Sequence, residues 1–269
     1  MKIYRDVAHP WAALSKSHTT SLQKVYSHTS NEIERAFKKP VWIIDIDSTL
    51  LCLSLRARRI LEDFVRFEWR GDHYSELLRS CVHMDASNHM YGIRPNIECV
   101  FGVIGVCPNK GFYREFENKF MPFWKQNFFN DRYLDQDFKY PGADTFCNEV
   151  SKLGARIVYL TGRHENSMRF GTIRTMKNLG FPVSQDQATF ILKTDPLEAD
   201  MVYKTRVLRH LNDAFHVVGF IDNEPENILA QIKQNKDSMN IWFHSISSER
   251  IPDLNRLSIK PQVLDTFVP

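Results

Sequence analysis

Apolar side chains fill positions 41–44 without a break, and the run VWII continues through Asp45 and Ile46 to Asp47. A continuous apolar run of that length suits a central strand covered on both faces. Four further short apolar runs read as strands: RIVYL from Arg156, TFILK from Thr189, HVVGFI from His216 and NIWF from Asn240. Between and beside them the spacing turns helical. It predicts helices from about Thr145 to Leu153, closing near Gly154, then through NSMRFGTIRTMKNLG, YKTRVLRHLN and the stretch after EPENILAQI. Strands alternating with helices imply an α/β fold, a doubly wound and mainly parallel sheet joined by right-handed crossovers.

Residues 56–138 break that alternation and read as one helical insertion. LRARRILEDFVRFEW places Leu55, Ile60, Leu61, Phe64, Val65 and Phe67 at helical spacing. A second helix, FYREFENKFMPFWKQNFF, is dense in aromatic residues; its spacing favours core packing, and one face could instead cover a substrate. The division expected is therefore an extension over 1–40, a core made of 41–55 and 139–269, and the insertion 56–138. Within the extension, 1–30 is polar and reads as a loosely packed lead-in. NEIERAFKKP reads as a short helix capped by Asn31 and closed by Pro40.

Composition narrows the partners without naming one. The 269 residues are 43% hydrophobic and 25% charged, an ordinary soluble balance. A net charge of +3 is too small to argue for nucleic acid or an anionic membrane, and is compatible with a small anionic substrate. The first twenty residues contain no apolar core of secretory length, and CVFGVIGVC, residues 99–107, is too short to span a bilayer. Five dispersed cysteines without a CxxC pair suggest reduced thiols, and hence a cytoplasmic protein. Cys81 and His83, with His73 and His89 nearby, match no standard zinc-ligand spacing.

The chemistry gathers where the strands end. In an open parallel sheet ligands bind beyond the carboxyl ends of the strands. There the first strand places Asp45 and Asp47, the second Thr161 and Arg163, and a later one Asp222 and Asn223. In regular strand geometry Asp45 and Asp47 would point to the same side, so a shared cation or proton must offset their repulsion. Lys204 lies on the helix leading to Asp222, and Lys193 ends another strand. Each residue has a plainer reading. The acids could form a turn, Thr161 could cap a helix, Arg163 could pair with a surface acid, Lys193 could solvate a strand end, and Glu226 could serve a helix dipole.

Taken in order, DIDST from Asp45, Thr161, Lys204 and Asp222 resemble the four motifs of the haloacid dehalogenase superfamily, most of whose members are phosphatases. LTGRHENSMRFGTIRTMKNLGFP is similar to its acid-phosphatase branch, and the insertion occupies the place of that superfamily's helical cap. The resemblance implies a phosphomonoesterase acting on a small soluble phosphorylated substrate through an aspartyl-phosphate. It implies Asp45 as nucleophile and Asp47 as acid and base. Thr161, Lys204 and the backbone N–H groups of Ile46 and Gly162 would hold phosphate. Magnesium would be held by Asp45, Asp222 and the carbonyl of Asp47. Asn223 departs from the usual second acid of the fourth motif and brings no charge to the metal. A phosphotransferase or mutase using the same intermediate, and a non-catalytic binding protein of the same fold, are the alternatives.

Overall fold

The computed structural model describes residues 11, 14, 17–71, 74–75, 110–247 and 259–268. Six parallel strands form one sheet in the order β5-β4-β1-β6-β7-β8. They are β1 (Pro40–Ile44), β4 (Arg156–His164), β5 (Ala188–Lys193), β6 (His216–Asp222), β7 (Met239–Phe243) and β8 (Gln262–Leu264). In β1, Val41 to Ile44 are all buried because β4 and β6 flank the strand and helices cover both faces. One face packs Trp42 and Ile44 against α1 (Leu22–Arg35) and α4 (Ala143–Lys152). The other packs Val41 and Ile43 against α6 (Asp200–Ala214) and α7 (Pro225–Gln234). A fifth helix, α5 (Glu165–Asn178), connects β4 to β5. The sheet is thus the doubly wound parallel one that the apolar runs predict.

Two parts of that reading are corrected. The first helix does not begin at Asn31. It runs from Leu22, with Ser21 as its N-cap accepting from the Lys24 N–H. Among the described residues before it, Trp11 and Leu14 are buried and not loose, and Trp11 meets Trp242 edge-on at 5.7 Å. The other correction is that Met239–Phe243 is not the last strand. β8 pairs with β7, and its outer edge is occupied by residues 18–20, with Val263 N–H donating to His18 O and Thr20 N–H to Val263 O. That pairing covers an edge that would otherwise offer unpaired backbone groups.

The insertion leaves and rejoins the core through a two-stranded antiparallel ladder of β2 (Leu51–Cys52) and β3 (Phe138–Lys139). Between these strands lie α2 (Ser54–Asp63), a π-helical turn at Phe64–Glu68, α3 (Lys110–Phe128) and a 3₁₀ turn at Asp131–Gln136. The aromatic stripe of α3 is core: Phe112, Phe116, Phe120, Trp124 and Phe128 are buried. Phe64 lies 5.3 Å from Phe116 and 5.2 Å from Phe120, within the range of favourable ring contacts. Cys81, His83, His73 and His89 fall outside the described residues, as does the apolar stretch 99–107. No helix among the described residues is long and apolar enough to cross a membrane.

Candidate active site

The strand ends before the first acid, so both acids sit on the turn that follows it. β1 stops at Ile44, and the Ile46 carbonyl then accepts from the N–H groups of Thr49, Leu50 and Leu51 in a tight turn. Ser48 takes a φ of 61° there, a left-handed conformation unusual for a residue with a Cβ. Strand alternation therefore does not set the two side chains, yet both carboxylates line one cavity, and each has cations of its own.

Asp45 is buried, with Oδ1 2.5 Å from Lys204 Nζ and Oδ2 accepting from Thr49 Oγ1 at 3.0 Å. Lys204, buried on α6, also reaches Asp222 Oδ2 at 2.8 Å, so one ammonium bridges two carboxylates from neighbouring strand ends. Asp222 is held further by Asn227 Nδ2 at 3.0 Å and by the Glu224 N–H at 2.8 Å. Burial pushes the Asp45 carboxyl upward, Lys204 pulls it back, and Asp222 and Asp47 add to the upward push. For Lys204 burial works against the charge, but Asp222 and Asp45 prevail and hold it firmly protonated. Lys193, the other candidate lysine, pairs instead with Asp200 Oδ1 at 2.6 Å and with the Glu198 carbonyl at 3.2 Å. Asn223 supports the turn: its N–H donates to Thr49 Oγ1 at 3.1 Å and its Nδ2 to the Ile246 carbonyl.

Asp47 belongs to a second charge cluster. Arg163 clamps it through Nε at 3.1 and 3.0 Å and through Nη2 at 2.7 Å. Arg56 Nη2 approaches at 3.2 Å, and Thr161 Oγ1 donates at 3.2 Å. Desolvation opposes the charge on Asp47, yet Arg163, Arg56 and Thr161 outweigh it and hold the carboxyl down at about 2. Arg163 is thus buried against an active-site acid and not paired at the surface. Arg56 and Asp137 complete the cluster and were not singled out by the sequence. LRARR resembles an ordinary solvated basic run, and only the fold reveals that Arg56 is fully buried.

A cavity of about 310 Å³ opens above these groups. Asp45, Asp47, Arg163 and Lys204 line it, with Leu53, Phe128, Phe129 and Met168 as its apolar part and Glu224 and Glu226 as an acidic one. Gly162 also lines it, and a Cβ there would lie 2.7 Å from Asp200 Oδ2, so that carboxylate would have to shift. Ile46 is fully buried and does not line the cavity. Among the described residues no three His, Cys, Asp or Glu side chains gather as a metal site. The donors that do converge are the carboxylates of Asp45 and Asp222, drawn together by Lys204. Joined by a main-chain carbonyl and water they would make an all-oxygen set, a kind that suits magnesium better than a softer metal.

No curated protein matches the chain. Among solved structures, it is similar to the class C acid phosphatase from Bacillus anthracis at 15% identity and a TM-score of 0.40, covering 80% of this chain and 70% of that one. A haloacid dehalogenase-like hydrolase from Streptococcus pneumoniae shares 13% identity with a TM-score of 0.42, over 84% and 93% of the two chains. A HAD-superfamily hydrolase from Ehrlichia chaffeensis shares 14%, with a TM-score of 0.44, over 79% and 93%. The family model for HAD superfamily, subfamily IIIB (acid phosphatase) matches residues 109–249, more than half of the chain. Its span takes in Thr161, Lys204 and Asp222, and on this match the chain belongs to that phosphatase family.

Proposed function

We propose that the protein is a magnesium-dependent phosphomonoesterase that works through an aspartyl-phosphate on Asp45. The observation that carries the reading is a charge imbalance at the strand ends. Four carboxyl groups, Asp45, Asp47, Asp137 and Asp222, face three cations, Arg56, Arg163 and Lys204, so the set balances only with a proton or a further cation on one carboxyl. A phosphate dianion would be repelled by this set unless another cation came with it. Asp45, Asp222 and the main-chain carbonyl of Asp47 would hold magnesium, which neutralises phosphate charge when bound.

The chain's own groups supply the remainder. An Asp45 carboxylate oxygen attacks phosphorus, a P–O bond to aspartate forms, and the P–O bond to the leaving group breaks. Lys204 holds the nucleophile in place, while Thr161 Oγ1 and the N–H groups of Ile46 and Gly162 donate to the phosphate oxygens. Water then attacks the aspartyl-phosphate, Asp47 takes its proton, and Asp45 departs as carboxylate with release of inorganic phosphate. The arginines keep Asp47 in the ionised form that this second step needs, at a cost in its strength as a base. They work against proton donation in the first, which favours leaving groups that depart readily as anions. The insertion would act as a cap that sets substrate choice, since Phe128 and Phe129 reach the cavity from it. Free thiols at Cys52 and Cys147 accord with a cytoplasmic location.

Hydrolysis of an aryl phosphate tests the scheme. Activity should vanish in excess EDTA and return with magnesium. Asp47→Asn should release a burst of aryl alcohol near one equivalent and gain a phosphoryl group by intact mass, and Asp45→Asn should do neither. Near-normal turnover by Asp45→Asn would overturn the covalent scheme, and full activity without metal would overturn the magnesium requirement.

A further inference from the structure

The insertion contributes two buried charges to the cluster around Asp47, one from each end of its path. Arg56 lies in the first turn of α2, just after β2, and Asp137 immediately precedes β3. Arg56 Nε stands 2.9 Å from Asp137 Oδ1, and Asp137 Oδ2 stands 2.6 Å from Arg163 Nη2. With the contacts of both arginines to Asp47, the four side chains form a closed ring of alternating charge: Asp47, Arg56, Asp137, Arg163. Asp137 lies between two like charges that would otherwise repel across the ring. Arg163 Nη1 is used separately, on Thr172 Oγ1 at 3.1 Å.

The ring also touches the insertion's long helix. Arg56 Nη1 donates to the Phe128 carbonyl at 3.2 Å, and the guanidinium lies 4.2 Å from the centre of the Phe128 ring. Phe128 is the last residue of α3 and lines the cavity. A shift of α3 relative to the sheet therefore reaches Asp47 through a single side chain.

We infer that Arg56 and Asp137 are positioning residues, which fix the Asp47 carboxylate for the hydrolytic step and make its orientation depend on the seating of the insertion. The inference rests on the role of Asp47 proposed above. Neither residue needs to touch substrate. Each acts by removing rotational freedom from Asp47, directly or through Arg163. A misplacement of about 1 Å at a catalytic group can cost on the order of 10²-fold in rate.

The test is a double-mutant cycle on an aryl phosphate in saturating magnesium, with burst and steady-state phases read separately. Asp137→Asn should lower steady-state turnover by ~10- to 100-fold and KM along with it, with the burst rate and kcat/KM changed much less, because those report the first step, which uses Asp45. Arg56→Lys keeps the charge but cannot reach Asp47, Asp137 and the Phe128 carbonyl together, so it should show the same split. In an Asp47→Asn background neither change should lower turnover further, because the group they position is already disabled. Burst amplitude measures the folded, competent fraction in every variant. Should Asp137→Asn fail to fold, Arg56→Lys decides alone. The inference is overturned if the single variants turn over at the wild-type rate, or if their losses multiply undiminished with that of Asp47→Asn. Wild-type turnover by Asp47→Asn itself would instead overturn the role assigned to Asp47.

Discussion

Lys204→Met should unfold the site before it blocks the chemistry. Methionine keeps most of the lysine's length and apolar bulk while removing the charge that stands 2.5 Å from Asp45 and 2.8 Å from Asp222. Both carboxylates are buried, so neither can turn to water when the ammonium is lost. Breaking a buried ion pair by removing one partner typically costs about 3–5 kcal/mol. For a chain of 269 residues about 1 kcal/mol moves the melting point by roughly 2 °C, so a fall of about 6–10 °C is expected.

The pH dependence of that loss has a definite sign. Burial raises Asp45 above its unfolded value even with Lys204 present, and removing Lys204 takes away the main opposing pull. A carboxyl raised in the folded state costs no stability below its unfolded pKa and progressively more as pH rises toward the folded one. The variant's deficit should thus be larger at pH 8 than at pH 5, where Asp45 takes up a proton. On the scheme proposed above, magnesium would stabilise each protein by about 2.7 kcal/mol at a hundred times that protein's Kd, and it would narrow the gap only as far as the variant binds it more tightly than the wild type. Differential scanning calorimetry of both proteins at the two pH values, in EDTA and in magnesium, measures all three effects. Equal melting points at pH 8 in EDTA would refute the claim that Lys204 holds the two acids together.

Two further perturbations test the sheet and the cavity wall. Gly219→Ala places a methyl 2.3 Å from the Trp42 ring at the centre of the sheet, and overpacking of this kind costs about 1–3 kcal/mol. A urea midpoint unchanged from wild type would contradict that packing. Phe129→Ala removes a ring that lines the cavity and stacks 4.8 Å from His164. Loss of an aromatic contact worth about 0.5–1.5 kcal/mol should raise KM for aryl phosphates about 2- to 12-fold while leaving kcat and alkyl phosphates little changed. Equal effects on both substrate classes would show that Phe129 supports the fold and does not contact the leaving group.

The strands were legible because a central parallel strand must be apolar on both sides, so β1, β4, β6 and β7 show as unbroken runs. β8 escaped because three residues, of which only Val263 and Leu264 are buried, carry no period. The start of α1 escaped for another reason. Its buried stripe is Leu22, Val25 and Thr29, and the threonine looks polar in sequence. In the fold Thr29 Oγ1 donates to the Val25 carbonyl and accepts from Trp42 Nε1, so the hydroxyl is satisfied inside the core.

The site separates along a similar line. Asp45, Asp47, Thr161, Lys204 and Asp222 could be picked out because each follows or leads into an apolar strand, and the parallel topology brings those strand ends together whatever the intervening chain does. Arg56 and Asp137 have no such signature. They stand at opposite ends of the insertion in sequence, and each looks solvated beside its neighbours in LRARR and YLDQD. Burying any one charge of the ring alone would be prohibitive, so the four are tolerable only together. Such joint dependence is invisible to a reading that weighs residues singly. It also bears on where the insertion can be cut. Excising 56–138 whole would take Arg56 and Asp137 with it and leave Arg163 to hold Asp47 alone among the four. A trimming that is to report on substrate choice must therefore keep both ends of the path. Otherwise a lost cap and a disoriented Asp47 would look the same in the assay.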